Sequence, residues 1–312
     1  VATRIEPLGV TRRSTRRTRM ADYSPVFRSA AHEAAFLSVY DAAMGLWPVS
    51  YDQIDIPTRF GVTHIIVSGP ESALPLVLLH WERFNSTIWA PIIGELSRRY
   101  RTYAVDVIGD AGKSIVGRRT RSRPDLALWL HEVLRGLGIS QAHLLGHSYG
   151  GFIAMNFALL YPTLVGRLAL LAPLSCLAHP NGSLTLRRMA PIWLPHPAVL
   201  EHYVRWLSFR GDLRSPVLDK MMEASFRCTR RFLALGTTPV VFTKAELAGC
   251  DRPTLVMVGD HETLYEPERA FARAGYLPYV ETVSIPACNH AIVTDQPAWV
   301  SQNVLRFLDA GA

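Results

Sequence analysis

Short apolar runs alternate with stretches of helical period over most of the chain. Tyr51 to Phe60 and Val62 to Ser68 are rich in β-branched residues and flank Gly61, which predicts an antiparallel hairpin. The period then changes. Pro75 to Leu79 is a short, continuous apolar strand, followed by Asn85 or Ser86 as a helix cap and an apolar face at Trp89, Ile92, Ile93 and Leu96. Arg101 to Val105 is the next strand. Pro124 opens a helix with Leu126, Trp129, Leu130, Val133, Leu134 and Leu137 at helical spacing. Ala142 to Leu145 is a strand that runs into Gly146-His147-Ser148-Tyr149-Gly150-Gly151, and the helix beyond, Phe152 to Tyr161, is apolar almost all round and stops before Pro162. Leu168 to Leu171, Thr254 to Val258 and Glu281 to Ile285 repeat the strand pattern, before a final helix from about Pro297 to Leu308. Strands and helices in alternation, with both sheet faces covered, predict an α/β protein with a mostly parallel, doubly wound sheet.

Three segments depart from that rhythm. Residues 1–19 hold six arginines against Glu6 and no following apolar run, so they read as a disordered basic tail rather than a signal segment, with Met20 as a candidate start. Residues 20–50 look helical but weakly patterned. Residues 175–245 carry Met189, Trp193, Trp206, Phe209, Met221, Met222 and Phe226 on helical stretches with prolines between them. That segment is expected to be a helical cap or lid inserted between core segments 20–174 and 246–312.

Composition narrows the function class. The chain has 312 residues, 49% of them hydrophobic, enough for a generous core and too apolar for a disordered protein. No apolar run approaches the ~20 residues needed to span a bilayer, so no membrane partner is expected. The tail supplies five of the seven net positive charges, which removes the case for nucleic-acid binding. The insertion holds ten Lys+Arg against four Asp+Glu; this reads as a solvated basic face, or as a surface for anionic substrates or an acidic carrier protein. Cys176, Cys228, Cys250 and Cys288 lie far apart with no zinc spacing, and are expected to be buried thiols in a reducing cytoplasm, with no metal site.

The chemistry concentrates at Gly146-x-Ser148-x-Gly150. Between a buried strand and an apolar helix this fits a nucleophile elbow, a sharp turn that exposes a strained serine above the sheet. A serine hydroxyl needs a base to take its proton, and the base needs a carboxylate to hold its tautomer. In elbow enzymes the acid follows a late strand and the histidine precedes the final helix. Val256 to Glu262 offers Asp260 or Glu262, and Ala287 to His290 offers His290. His261 reads as a surface histidine or a support of the acid turn, and His147 as a backbone-orienting residue. The oxyanion hole should comprise the backbone N–H groups of Tyr149 and Glu82. Gly112-Lys113-Ser114 lacks the first glycine of a P-loop and is not a nucleotide site.

With these motifs the chain resembles the α/β-hydrolase family over about residues 51–310. Pro75 to His80 is similar to the strand before that family's oxyanion loop, Asp106-Val107-Ile108-Gly109 with Ser114 to its D-x-x-G turn, and Gly259 to Pro267 to its acid turn. Tyr100 to Asp106 resembles the Tyr-Arg-Thr-Tyr-Ala-Val-Asp strand of bacterial carboxylesterases that cleave aryl-propionate esters. The resemblance implies a cofactor-free serine hydrolase acting on a small-molecule acyl substrate, with catalytic Ser148, His290 and, three residues after the turn glycine, Glu262. His80, Trp81, His147, Trp193 and Trp206 are candidates for the substrate pocket. The chain departs from the family at His80-Trp81, where the family has His-Gly. Tryptophan takes a positive φ less readily than glycine, and a glutamate beside a developing oxyanion opposes it unless its side chain turns away; alternatively, Trp81 packs on the pocket wall. Two other readings use the same scaffold: an acyltransferase, carrier-protein thioesterase, cyclase or lyase with a repurposed loop, and a ligand-binding protein with a relic triad.

Overall fold

The computed structural model describes residues 26–230 and 237–310, so the basic segment 1–19 and Met20 lie outside the described residues. Helix α1 (Ala30–Met44) is capped by the Ser29 hydroxyl, which accepts from the His32 N–H. It is shorter than the 20–50 segment expected to be helical. Strands β1 (Asp52–Thr58) and β2 (Gly61–Ser68) form the hairpin, with Ile54 opposite Ile65 and Thr58 opposite Gly61. Then follow β3 (Pro75–Leu79), α2 (Ala90–Ser97), β4 (Arg101–Val105) and a two-residue strand β5 (Ile115–Val116). The sequence did not suggest β5; it exists because it pairs with Gly61 and Val62 across space. Helix α3 (Arg123–Gly136) has a Ser122 cap and a proline in its first turn. Strand β6 (Ala142–His147), helix α4 (Tyr149–Leu160) and strand β7 (Val165–Leu171) form the centre.

Between β7 and β8 the chain leaves the sheet for three helices, α5 (Gly182–Trp193), α6 (Pro197–Leu207) and α7 (Pro216–Cys228), and returns through α8 (Lys244–Ala248). The last elements are β8 (Thr254–Gly259), α9 (Pro267–Ala274), β9 (Val280–Ile285), α10 (Ile292–Asp295) and α11 (Pro297–Asp309). The strand order is β1-β2-β4-β3-β6-β7-β8-β9, with β5 beside β2. Pairing is antiparallel at the β1-β2-β4 end and parallel from β4 to β9. This is the α/β-hydrolase architecture. All six residues of β8 are buried, as are the first ten of α4, because helices cover both sheet faces.

One packing relation has no counterpart in the sequence pattern. Helix α1 packs on α7, and the segment just before α1 is clipped to the end of α7 by backbone hydrogen bonds from Arg28 N–H to the Cys228 carbonyl (3.0 Å) and from Arg230 N–H to the Val26 carbonyl (2.9 Å). Helix α7 of the insertion is thus tied to α1.

Candidate active site

The turn between β6 and α4 places Ser148 with φ 54°, a left-handed conformation costly for a serine. Two glycines make the turn possible. A Cβ on Gly150 would lie 1.9 Å from the Leu79 carbonyl oxygen, and one on Gly146 would lie 2.3 Å from the Gly150 oxygen. Helix α4 therefore starts at Tyr149, three residues earlier than its apolar pattern suggests, and runs straight out of the turn. Ser148 is the N-cap residue, but its hydroxyl makes no capping bond. It lies 2.8 Å from His290 Nε2 instead.

His290 Nδ1 lies 2.8 Å from Glu262 Oε2, and the Glu262 side chain is fully buried. The other carboxylate oxygen, Oε1, accepts the Leu264 N–H at 2.8 Å. Such an arrangement puts the His290 proton on Nδ1, facing Glu262, and leaves Nε2 to accept from Ser148. Asp260, the competing acid, points elsewhere: it meets His261 Nδ1 at 2.7 Å and accepts the Ala287 and Cys288 N–H groups at 3.1 Å. Those bonds shape the loop before His290. His261 is exposed and pairs with Asp260 rather than with the buried carboxylate.

Tyr149 occupies the first position of α4, where N–H groups have no partner within the helix and the helix dipole favours negative charge. Glu82 lines the pocket beside Ser148. The loop that carries Glu82 is braced from the segment after β4: Asp106, in the D-x-x-G turn, accepts the Ser86 N–H at 2.9 Å, and Asp110, just beyond it, accepts the Arg83 N–H at 2.9 and 3.0 Å. The positive φ anticipated for position 81 falls on Arg83, at 62°, and not on Trp81. The indole instead stacks on the His290 imidazole, with centroids 6.1 Å apart and planes 4° from parallel.

A pocket opens beside Ser148 and His290. Trp81, Glu82 and Arg83 form one wall, Leu174 and Leu264 lie near the elbow and acid turn, and Tyr203 and Leu207 from α6 with Met222 and Phe226 from α7 close the other side. Its cavity volume is about 40 Å³, room for very few waters. Of the pocket candidates from sequence, Trp81 lies on this wall. His80, His147, Trp193 and Trp206 do not. His80 is buried in the loop scaffold, donating from Nδ1 to the Trp81 carbonyl (2.7 Å) and accepting the Val107 N–H on Nε2 (2.9 Å). His147 donates from Nε2 to the His290 carbonyl at 2.8 Å; burial first, then the neighbouring His290, depresses its pKa well below the usual 6.5, so it is neutral. Trp193 is half-exposed on α5, and Trp206 packs beside Tyr203 with its backbone carbonyl taking the Asn289 side-chain N–H. The sequence marked Met222 and Phe226 as part of a helical apolar stripe, whereas Arg83 and Asp110 gave no periodic or motif signal.

All four cysteines are buried free thiols. Among the described residues, no group of three or more His, Cys, Asp or Glu side chains could hold a metal ion, and no helix is long and apolar enough to cross a membrane.

Comparison with known proteins agrees with the fold. The uncharacterized carboxylesterase nap of Bacillus subtilis is 36% identical over 280 residues, covering 88% of this chain and 92% of the relative. Carboxylesterase YbfK of the same organism is 35% identical over 304 residues, covering 94% and 99%. The crystal structure of naproxen esterase from Bacillus subtilis superposes with a TM-score of 0.84 at 35% identity, over 89% of this chain and 98% of that one. The family model described as alpha/beta hydrolase family matches residues 76–303, from β3 into α11. The chain belongs to the alpha/beta hydrolase family.

Proposed function

We propose that this protein is a serine carboxylesterase that cleaves a small-molecule carboxylic ester through an acyl-enzyme. The observation that carries the reading is the continuous hydrogen-bonded chain from Ser148 through His290 to Glu262, at 2.8 Å in both links. Ser148 Oγ attacks the ester carbonyl as His290 Nε2 takes its proton, and Glu262 stabilises the imidazolium. The Tyr149 and Glu82 N–H groups receive the developing oxyanion. His290 then delivers the proton to the leaving alcohol, and water repeats the sequence to release the acid. The two carboxylesterase relatives, similar over nearly their full lengths, support an ester as the substrate.

Residues 175–245 serve as the cap on a core of 20–174 and 246–312. Helices α6 and α7 contribute Tyr203, Leu207, Met222 and Phe226 to the pocket wall, so the cap shapes the space that an acyl chain would occupy. The test is a fluorophosphonate probe with the adduct located by peptide mass spectrometry. Labelling confined to Ser148, absent from Ser148→Ala, and a loss of several powers of ten in ester turnover by that variant are expected. An Ser148→Ala variant that turns over esters like wild type refutes the reading.

A further inference from the structure

The loop that carries His290 and the inserted helix α6 meet at a side chain outside the triad. Asn289 is buried, and both ends of its amide are bonded. Oδ1 accepts the His290 N–H at 2.7 Å and the Thr263 N–H at 3.1 Å, so one oxygen joins the residue after Glu262 to the base itself. The Thr263 hydroxyl lies 3.1 Å from the same oxygen and 3.3 Å from the Trp206 carbonyl. Nδ2 donates to that carbonyl at 2.9 Å. The amide has only one workable orientation, because turned over its NH₂ would face two N–H donors and its oxygen a carbonyl. Trp206 and Leu207 end α6, where carbonyls lack partners within the helix. The Leu207 carbonyl accepts the Ala291 N–H at 2.8 Å. Just beyond the helix, Asp295 accepts the Ser208 hydroxyl at 2.6 Å and the Phe209 N–H at 2.9 Å, and it also accepts the Asn289 N–H at 2.9 Å. The end of α6 is thus bonded to the chain on both sides of His290.

We propose that Asn289 is a positioning residue that holds the acid turn, the base and the end of α6 at fixed spacing, so that the triad and the pocket wall are set together; this rests on the esterase reading. His290 must keep Nε2 on Ser148 and Nδ1 on Glu262 at once, both at 2.8 Å. A loop free to shift by about 1 Å breaks one of the two bonds. Glu262 and His290 come from different loops, so their spacing needs links that do not pass through the triad. One is the bond from the His261 N–H to the Cys288 carbonyl at 2.9 Å, which involves neither Thr263 nor His290. Asn289 supplies the link next to both triad members. Because α6 carries Tyr203 and Leu207 of the pocket wall, the same amide also fixes that wall relative to Ser148. An apolar side chain at 289 leaves the two N–H groups unmet and the Trp206 carbonyl with only the Thr263 hydroxyl, in a place where water is excluded.

The test uses the full chain, steady-state hydrolysis of a chromogenic ester, and the downfield proton NMR resonance of the His290 Nδ1–H, assigned by its loss in Glu262→Gln. Asn289→Leu, nearly isosteric, removes both halves of the link. It should lower kcat at least about tenfold, raise KM, and shift or abolish the resonance. Asn289→Asp keeps an oxygen for the His290 and Thr263 N–H groups but sets its second oxygen against the Trp206 carbonyl, acceptor to acceptor. It should recover most of kcat and keep the resonance while KM stays raised, a split that a general loss of stability does not produce. An Asn289→Leu enzyme with kcat within about threefold of wild type and the resonance in place overturns the proposal. If the leucine variant does not fold, Asn289→Asp decides alone: an unchanged KM, or a kcat lowered by about tenfold or more, overturns it. Absence of both turnover and Ser148 labelling in wild type overturns the esterase reading, whereas the resonance reports on Asn289 without any ester.

Discussion

Glu262→Gln isolates the part of the site that sets the proton. The two oxygens of Glu262 have different partners, Leu264 N–H on Oε1 and His290 Nδ1 on Oε2, both at 2.8 Å. A glutamine in the same place has one oxygen and one NH₂. The Leu264 N–H can only be met by the oxygen, so the NH₂ is forced to face His290 Nδ1. Nδ1 must then be the unprotonated nitrogen, and the ring proton moves to Nε2, against Ser148 Oγ. His290 becomes a donor where the reaction needs an acceptor. For an isosteric change that imposes the wrong tautomer the expected loss in kcat is about 10⁴, close to 5.4 kcal/mol. Glu262→Asp keeps the charge but withdraws it by about 1.5 Å, one carbon–carbon bond, and should lose a smaller factor, about 10². Asp260→Asn is the control, since Asp260 bonds to His261 and to the loop N–H groups and not to His290. The assay is steady-state hydrolysis of a chromogenic ester, with folding checked by circular dichroism. A Glu262→Gln enzyme within tenfold of wild type, or an Asp260→Asn enzyme that falls further, refutes this assignment.

Other consequences follow from single contacts. Gly150→Ala places a Cβ 1.9 Å from the Leu79 carbonyl oxygen, in sheet backbone that cannot give way. It should destabilise by about 3 kcal/mol or more, measured by urea unfolding; a loss under about 1 kcal/mol counts against the turn geometry. His143 is held at a pKa of about 4 by burial first and by Arg167 next, and its Nδ1 accepts the Arg167 N–H at 2.9 Å. The unfolded chain takes up that proton near 6.5, so stability is full above pH 6.5 and falls as the pH drops towards 4. Allowing for its partial exposure, the loss is about 1–2 kcal/mol, and it should be absent in His143→Gln when urea midpoints at pH 7 and 4.5 are compared. His147 braces the base through the His290 carbonyl at 2.8 Å. His147→Leu should lower kcat about tenfold with little change in KM, and His147→Gln, which keeps a donor, should recover most of it; equal kcat in the two variants argues against a positioning role.

The β6-turn-α4 elbow was legible because its requirements are local: a buried strand, glycines at 146 and 150, and an apolar helix with a proline just beyond it. The order of acid and histidine after late strands pointed to His290 and narrowed the acid to Asp260 or Glu262, and the family resemblance favoured Glu262, since each sits in a short turn whose reach from β8 or from the loop after β9 is set by a few residues. Arg83 was not legible. An arginine after a strand reads as surface, and its burial depends on Asp110, Phe226 and Thr229, which are 27, 143 and 146 positions away. His80 and His147 looked like pocket residues for the mirror-image reason: their partners, Val107 N–H and the His290 carbonyl, come from other segments. Helical period in the insertion marked Trp206 and Phe226 alike; which of them faces Ser148 depends on how α6 and α7 lie over the sheet. The sequence by itself determined the α/β alternation, the elbow and the residue types of a hydrogen-bonded triad, because periodicity and turn chemistry act over a few residues. Tertiary structure alone decided which polar side chains face the pocket and which brace it, because a buried hydrogen bond or ion contact is a relation between segments that meet only when the chain is folded.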